Sequence, residues 1–439
     1  MPCIPMQVPC RPGLPGFADM GAKWLIVADD LTGAADCAIA FAKEGVAAAV
    51  GWGDSAETTG EYPPVFSYDT NSRGLLGPDA LAKHREALGK LLEEGSALFK
   101  KIDSTLRGQP AAETVAAFEA MRTRDGSVLG IMAPAFPATG RTTENGRIHV
   151  GGKPLEQTEV WQREHSYPNA DLVQVLATAG IEAENIPLAT IRADADALRA
   201  ALIEIASKGD RVAVCDAVTE DDLVRIAEAG LPVRSDVFWI GSAGLAHALA
   251  KATRGETVGL IPTPVTDKGA LVVVGSLARA SRSAARVLST LPGLRYVPVE
   301  PKLLLTETAV ADRSALVNQV AMALQAGEDV LVEILVNNTP DLALGPCLAD
   351  RLADLLKPAA PFASGLAATG GETAAALLAG FGVNGIRLVD EVEPGVSLGL
   401  TLGDLSIPVV TKAGAFGSEN TLKHVVQRLR TIRQEGKLA

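Results

Sequence analysis

A chain of 439 residues is too long for one ordinary core, so two domains are expected. Its formal charge of -12 argues against a nucleic-acid partner, which needs a basic face. A small anionic substrate stays compatible, because local Lys and Arg can reverse the field inside a cleft. Five cysteines (Cys3, Cys10, Cys37, Cys215 and Cys347) stand without a CxxC, so neither a zinc site nor a disulfide framework is implied. Reduced thiols in a cytoplasmic protein are the simple reading.

Met1 to Met20 is proline-rich and lacks a basic start and an apolar centre, so it reads as a disordered extension rather than a signal peptide. No apolar run reaches the length of a membrane span. Trp24 to Ala28 is an apolar run that fits a strand buried on both faces. It stops at two adjacent carboxylates, Asp29 and Asp30. After the turn at Thr32 and Gly33, a helix is expected from Ala34 to Lys43. Further strand-like runs are 47–50, 65–68, 98–102, 128–132 and 212–215, with helical patterns at 78–94 and 111–121 between them. This alternation, together with 43 glycines and few aromatics, implies an α/β fold with parallel, doubly wound sheets. The stretch 141–165 is polar and aperiodic and reads as a long functional or mobile loop. Residues 251–268, with Gly255, Pro262 and Pro264, suit a linker.

The pattern then restarts with strands at 270–274, 330–334, 366–369 and 407–410 and helices at 281–291, 342–356, 372–379 and 419–430. The expected architecture is therefore a first domain over 21–258 and a second over 266–432. Each would carry its own mainly parallel sheet flanked by helices, with the active-site cleft between them.

Chemistry concentrates where strands end, which is where open α/β sheets bind ligands. Asp29 and Asp30 lie at such an end; helix capping by Asp30 or Thr32 accounts for one polar group, not for both acids. Lys101-Ile-Asp-Ser-Thr-Leu-Arg-Gly108 places Lys101, Asp103, Ser104, Thr105 and Arg107 within eight residues. A guanidinium and a lysine side by side suit a carboxylate or a phosphate under transfer, although Asp103 and Arg107 could also form a structural ion pair. Ala133-Pro-Ala-Phe-Pro-Ala-Thr-Gly-Arg141 is a proline-stiffened loop that presents Thr139, Gly140 and Arg141 as donors, followed by Asn145 and His149. In the second half, Val274-Gly-Ser276, Ala368-Thr-Gly-Gly-Glu-Thr373 and Thr411-Lys-Ala-Gly-Ala-Phe-Gly417 all end strands. Three small-residue loops on one sheet edge suit phosphates resting on backbone amides.

Some chemistries are excluded. There is no GxxxxGK[ST] and no GxSxG, and the five histidines (His84, His149, His165, His247 and His424) lack metal-ligand spacing. Gly380-Phe-Gly-Val-Asn-Gly385 matches GxGxxG but follows a helix, so it reads as a helix stop and turn.

In order along the chain, Ala28-Asp-Asp-Leu-Thr-Gly-Ala-Ala-Asp36, the Lys101–Gly108 motif, Ala133-Pro-Ala-Phe-Pro137, Gly241-Ser-Ala-Gly-Leu245, Thr369-Gly-Gly-Glu-Thr373 and Lys412-Ala-Gly-Ala-Phe-Gly417 resemble the four-carbon acid sugar kinases. That family comprises D-threonate, D-erythronate and 3-oxo-tetronate kinases, and the resemblance runs from Trp24 to Arg430. It implies a sugar-acid-binding N-terminal domain, a nucleotide-binding C-terminal domain and ATP-dependent phosphorylation of a hydroxyl, with Mg²⁺ as the accompanying ion. The implied sugar-acid side is Asp29 and Asp30 with the Lys101–Arg107 motif, including Asp103, Ser104 and Arg107; Arg141 of the proline-stiffened loop is expected beside them, and Asp29, Asp30, Lys101 and Arg107 are the expected catalytic set. The implied ATP side is Ser276, Gly370, Gly371, Glu372, Thr373, Lys412 and Gly414. Ala415 stands where relatives carry Gly or Asn, in a loop where φ > 0 would be costly for alanine. Two other classes fit the residues alone: a non-catalytic nucleotide- or sugar-acid-binding regulator, and an NAD-dependent dehydrogenase of C4 acids. The expected partners are a small sugar acid and ATP, with neither nucleic acid nor membrane; a homo-oligomer is compatible with the sequence.

Overall fold

The computed structural model describes residues 23–53, 63–122, 127–163, 165–233, 236–253, 261–306, 309–336 and 344–438. The expected N-terminal extension, Cys3, Cys10 and the Gly255 part of the expected linker lie outside them.

In the first half, β1 (Trp24–Ala28), β2 (Ala48–Trp52), β3 (Val65–Asp69), β4 (Ala97–Lys101) and β5 (Leu129–Ala133) precede a small antiparallel insert. That insert consists of β6 (Arg141–Glu144), β7 (Arg147–Val150) and β8 (Lys153–Pro154). The half is completed by β9 (Ala183–Ile186), β10 (Arg211–Cys215) and β11 (Val237–Gly241). A short β12 (Ile261–Pro262) enters the second half and pairs antiparallel with β20 (Lys437–Leu438) near the end of the described chain. Between them run β13 (Leu271–Val274), β14 (Leu294–Val299), β15 (Asp329–Ile334), β16 (Leu366–Thr369), β17 (Val383–Glu393), β18 (Val396–Gly403) and β19 (Pro408–Lys412).

The two halves do not keep separate sheets. Fifteen strands form one sheet in the order β14-β15-β13-β16-β19-β18-β17-β2-β3-β1-β4-β11-β5-β10-β9. Within each half the strands flanked by crossover helices pair parallel, as the α/β alternation requires, whereas β18 pairs antiparallel with β19. The antiparallel hairpin β17–β18 joins them, and β17 pairs with β2 through Gly385↔Gly51, Ile386↔Val50 and Arg387↔Ala49. Gly385 belongs there because a Cβ would lie 2.8 Å from the Val50 carbonyl oxygen. The expectation of two sheets fails because the hairpin over 383–403 adds two strands at the place where the halves meet, and β17 pairs with β2; its register shifts mark bulges that bend β17.

Helices cover both faces. The helix Leu31–Lys43 is nearly all buried, which its Ala-rich composition permits. It packs on β2 and β3 of its own half and on β17 of the other. All five residues of β1 are buried, so the two-sided apolar run does mark an interior strand. The stretch 141–165 is not the long loop that its polarity suggests. Asn145 and Gly146 (φ 52° and 70°) form the tight turn between β6 and β7, as an Asn-Gly pair favours. Gly151 and Gly152 (φ 59° and 77°) turn β7 into β8. Among the described residues, no helix is long and apolar enough to cross a membrane.

Candidate active site

Three strand ends of the first half converge. β1 delivers Asp29 and Asp30, β4 delivers Lys101 to Gly108, and β3 delivers Asp69 to Arg73. Arg73 is the hub, and no sequence motif singles it out. Its Nε donates to Asp29 Oδ2 at 2.6 Å and its Nη2 to Asp29 Oδ1 at 2.7 Å. Nη2 also donates to Asp30 Oδ1 at 2.8 Å, and Nη1 lies 3.5 Å from Asp103 Oδ2. The signal that could have found it is a polar run, Asp69-Thr-Asn-Ser-Arg73, directly after an apolar strand.

Asp29 is fully buried. Burial alone would push its carboxyl up, but Arg73, with Lys100 and Lys101 behind it, brings it down to about 2. Gly108 (φ +79°) passes directly over it, since a Cβ there would come within 2.5 Å of Asp29 Oδ2. Below lies a second buried pair: Lys100 Nζ bonds Glu113 Oε2 at 2.7 Å and the Val27 carbonyl at 3.3 Å. Asp29 is thus an anchor for Arg73. It does not line the cavity, contrary to the expectation that it meets substrate.

Asp30 does line it. Its Oδ1 caps the following helix by accepting from Gly33 N at 3.1 Å, and its Oδ2 accepts from Thr32 Oγ1 at 2.7 Å. The capping role is therefore real, and it leaves Oδ2 facing the other half: a Cβ on Gly371 would lie 2.9 Å from that oxygen. Asp103 accepts from Thr105 N at 2.9 Å and from Arg107 Nη2 at 2.6 Å. Burial works against the Asp103 charge, but Arg107 and Arg73 hold its carboxyl well below the usual range. The structural ion pair between Asp103 and Arg107 exists, and both residues line the cavity together with Ser104.

The remaining lining residues are Thr32, Gly33, Asp36, Arg73, Lys101, Phe136, Ser242 and Ala243 from the first half and Ala413 and Phe416 from the second. Among the described residues, the Lys101 ammonium makes no hydrogen bond or ion pair. Despite burial, the carboxylates around it, Asp30 foremost, raise it above the usual lysine value. Arg141 is not a lining residue. It is buried, donates from Nη1 to the Thr139 carbonyl at 2.8 Å and stacks on Phe416 with 4.5 Å to the ring centroid.

In the second half, the loops after β13, β16 and β19 do converge. A Cβ on Gly370 would meet Ser276 Cβ at 3.4 Å, and one on Gly414 would collide with Ser276 Oγ. One on Gly275 would collide with Thr373 Oγ1. Gly370 has φ +92° and starts the helix Gly371–Gly380, whose first-turn N–H groups have no intrahelical partners. Glu372 is exposed on that helix. Lys412 departs from the expected nucleotide contact: its ammonium is buried and turns back onto its own loop. It donates to Ser281 Oγ and the Ala413 carbonyl, both at 3.0 Å, and to the Gly414 carbonyl at 3.3 Å. Burial lowers it to about 8. Ala415 has no positive φ; Gly417 takes it instead, at 81°, so alanine costs nothing there. Gly380 to Gly385 is a helix end running into β17, as its context implied.

Comparison with known proteins now adds to this geometry. Residues 24–249 match the family model of a sugar-binding N-terminal domain, and residues 271–422 that of a nucleotide-binding C-terminal domain. A D-threonate kinase of Cupriavidus necator is 41% identical over 93% of this chain and 98% of its own. The chain belongs to the four-carbon acid sugar kinase family. A D-threonate kinase of Bordetella bronchiseptica is 33% identical over 94% of this chain and 99% of its own, and a D-erythronate kinase of Heliobacterium modesticaldum 27% over 93% and 97%. A crystal structure from Salmonella typhimurium LT2 shares the fold, with a TM-score of 0.76 at 22% identity, covering 92% of this chain and 98% of that one. This four-carbon acid sugar kinase is thus a phosphotransferase acting on C4 sugar acids, with a sugar-binding half followed by a nucleotide-binding half. Neither the dehydrogenase nor the non-catalytic regulator agrees with that membership.

Proposed function

We propose that the kinase transfers the γ-phosphoryl group of ATP to a hydroxyl of D-threonate, with Asp30 as the group that orients and deprotonates that hydroxyl. The substrate choice rests on the D-threonate kinases that this chain resembles at 41% and 33% identity. The observation that carries the mechanism is the approach of Asp30 Oδ2 to the Gly370–Gly371 turn. It sets a carboxylate of one half against the anion-binding helix terminus of the other. In this reading the sugar-acid domain is 21–258, the nucleotide domain 266–432, and the cavity between them is the active site.

Phosphoryl transfer depends on positioning and charge neutralisation. Ser276, Gly370 to Thr373 and Gly414 would hold the triphosphate. Lys101, whose ammonium is unpaired within the cavity, would meet the transferring group. Arg107, partly exposed and already paired with Asp103 through one nitrogen, keeps donors for the substrate carboxylate. Arg73 would fix the Asp30 carboxylate in place, while Asp29 holds Arg73.

Magnesium finds no ready cage among the described residues. Among the described residues, no three His, Cys, Asp or Glu side chains cluster to hold a metal, and both Asp29 oxygens are taken by Arg73 while Asp30 gives it Oδ1 alone. One carboxylate oxygen does not make a protein cage for the ion, so no step is routed through it. The test is an ADP-release screen over D- and L-threonate, D- and L-erythronate and the 3-oxo-tetronates. D-threonate should have the highest kcat/KM; a tenfold preference for any other acid would refute the substrate assignment.

A further inference from the structure

Phe416 belongs by sequence to the nucleotide side, yet its surroundings belong mainly to the sugar-acid side. It sits on the loop after β19 that carries Gly414, and its ring lines the cavity. The ring packs against Gly395 in the β17–β18 turn, so close that a Cβ on that glycine would collide with Phe416 Cδ2. Two other neighbours flank the loop after β5: the Arg141 guanidinium, from the first residue of β6, over its face at 4.5 Å, and Phe136 edge-on, with centroids 6.1 Å apart at 78°.

Arg141 has few alternatives. It is 8% exposed, its Nε has no hydrogen-bond partner, and no carboxylate lies within ion-pair distance among the described residues. A buried guanidinium without an acid is stabilised by an aromatic face. Phe136 and Arg141 are themselves tied by reciprocal backbone hydrogen bonds at 2.9 and 3.1 Å, so the loop offers a rigid seat.

We infer that Phe416 is a positioning residue that couples the two substrate sites, seating the nucleotide loop on Arg141 and Phe136 of the sugar-acid loop. Nucleotide binding orders the loop that carries Gly414. That order places the aromatic ring as a wall of the sugar-acid cavity, and the filled cavity holds the ring in return. The affinities for ATP and for the sugar acid are then linked reciprocally. Arg141 acts through Phe416 rather than by touching substrate. This inference rests on the assignment of the two substrates to the two halves made above.

The test is calorimetry on the full chain, titrating D-threonate with and without a non-hydrolysable ATP analogue. In the wild type the analogue should tighten D-threonate binding by about tenfold. Phe416→Leu should bind the analogue alone within about twofold of wild type, which also shows that it is folded, yet lose the linkage. Phe416→Trp, which keeps an aromatic face for Arg141, should restore it. Arg141→Met should lose the linkage as well, and combining it with Phe416→Leu should add nothing. Intact linkage in Phe416→Leu, or wild-type protein that binds both ligands without linkage, overturns the inference. Wild-type protein that binds the analogue but none of the tetronates instead overturns the substrate assignment beneath it.

Discussion

The Asp30 carboxylate and Gly371 face one another across the junction of the two halves, with room for nothing larger than hydrogen on the glycine: a Cβ would lie 2.9 Å from Asp30 Oδ2. Asp30→Asn keeps the size and the capping oxygen for Gly33 N but removes the charge. Its turnover with ATP and D-threonate should fall by about a hundredfold or more, as for loss of a general base, while its unfolding midpoint stays close to wild type. Turnover within a few-fold of wild type would take Asp30 out of the chemistry and leave it a helix cap.

Gly108 has φ +79°, and a Cβ added to it would lie only 2.5 Å from Asp29 Oδ2. Gly108→Ala combines left-handed strain with a clash against a buried charge. It should destabilise by roughly 2 kcal/mol or more, read as a lower urea midpoint. Gly74→Ala is the control, since a Cβ there meets nothing within 4 Å. Equal midpoints for the two variants would show that the loop relaxes freely.

The strand-end chemistry is legible in the sequence because β1, β4, β16 and β19 each run apolar and then break into polar or glycine residues, and this local signal survives without knowledge of the fold. Arg73 is not legible. It lies four residues beyond β3, and only the pairing of β3 beside β1 brings it to Asp29. Side-chain direction is equally hidden: nothing in Thr411-Lys412-Ala413 tells that the lysine folds back onto its own carbonyls, or that Arg141 sits behind Phe416. The single sheet escapes a sequence reading because β17 carries the exposed Arg387 and the half-buried Asp390, Glu391 and Glu393 among its apolar residues, and β18 is broken by Gly399. The insert β6–β8 escapes it because Asn145-Gly146 passes for loop in a polar stretch, although the pair is also a hairpin turn signal.

Arg73 is the cation on which the acids of the first half depend. Arg73→Met would leave Asp29 buried without its bidentate partner, a change that costs about 3–5 kcal/mol when one member of a buried pair is lost. Adding Asp29→Asn removes the stranded charge, so the double variant should be more stable than Arg73→Met alone. Chemical denaturation of the wild type, both single variants and the double variant closes the cycle. If the double variant is no more stable than Arg73→Met, the pair is not what holds Arg73 in place.

Two buried acids near the cavity contribute to the pH dependence of stability around neutral pH, alongside Glu113 and Asp216, which burial also raises. Burial raises Asp36 to about 7, against the pull of Lys101, and Asp69 to about 8, against the Asn71 N–H. A carboxyl whose pKa is higher when folded binds its proton more tightly in the native state. The stability it contributes is complete below its unfolded value of 3.8 and is lost as pH rises through the folded value. His84 and His247, lowered by burial to about 3 and about 4, act in the opposite sense, but only up to the ordinary histidine value of 6.5. Lys412 opposes the loss only above about 8. Between pH 6.5 and 8 the raised acids therefore act without opposition from these histidines or Lys412, and the urea midpoint of the unliganded kinase should fall across that window. Asp69→Asn should flatten the fall across the window, and Asp36→Asn only its part below about 7. A wild-type midpoint that is level from about pH 6.5 to about 8, or variants that track it in parallel, would mean that these carboxyls titrate like exposed ones.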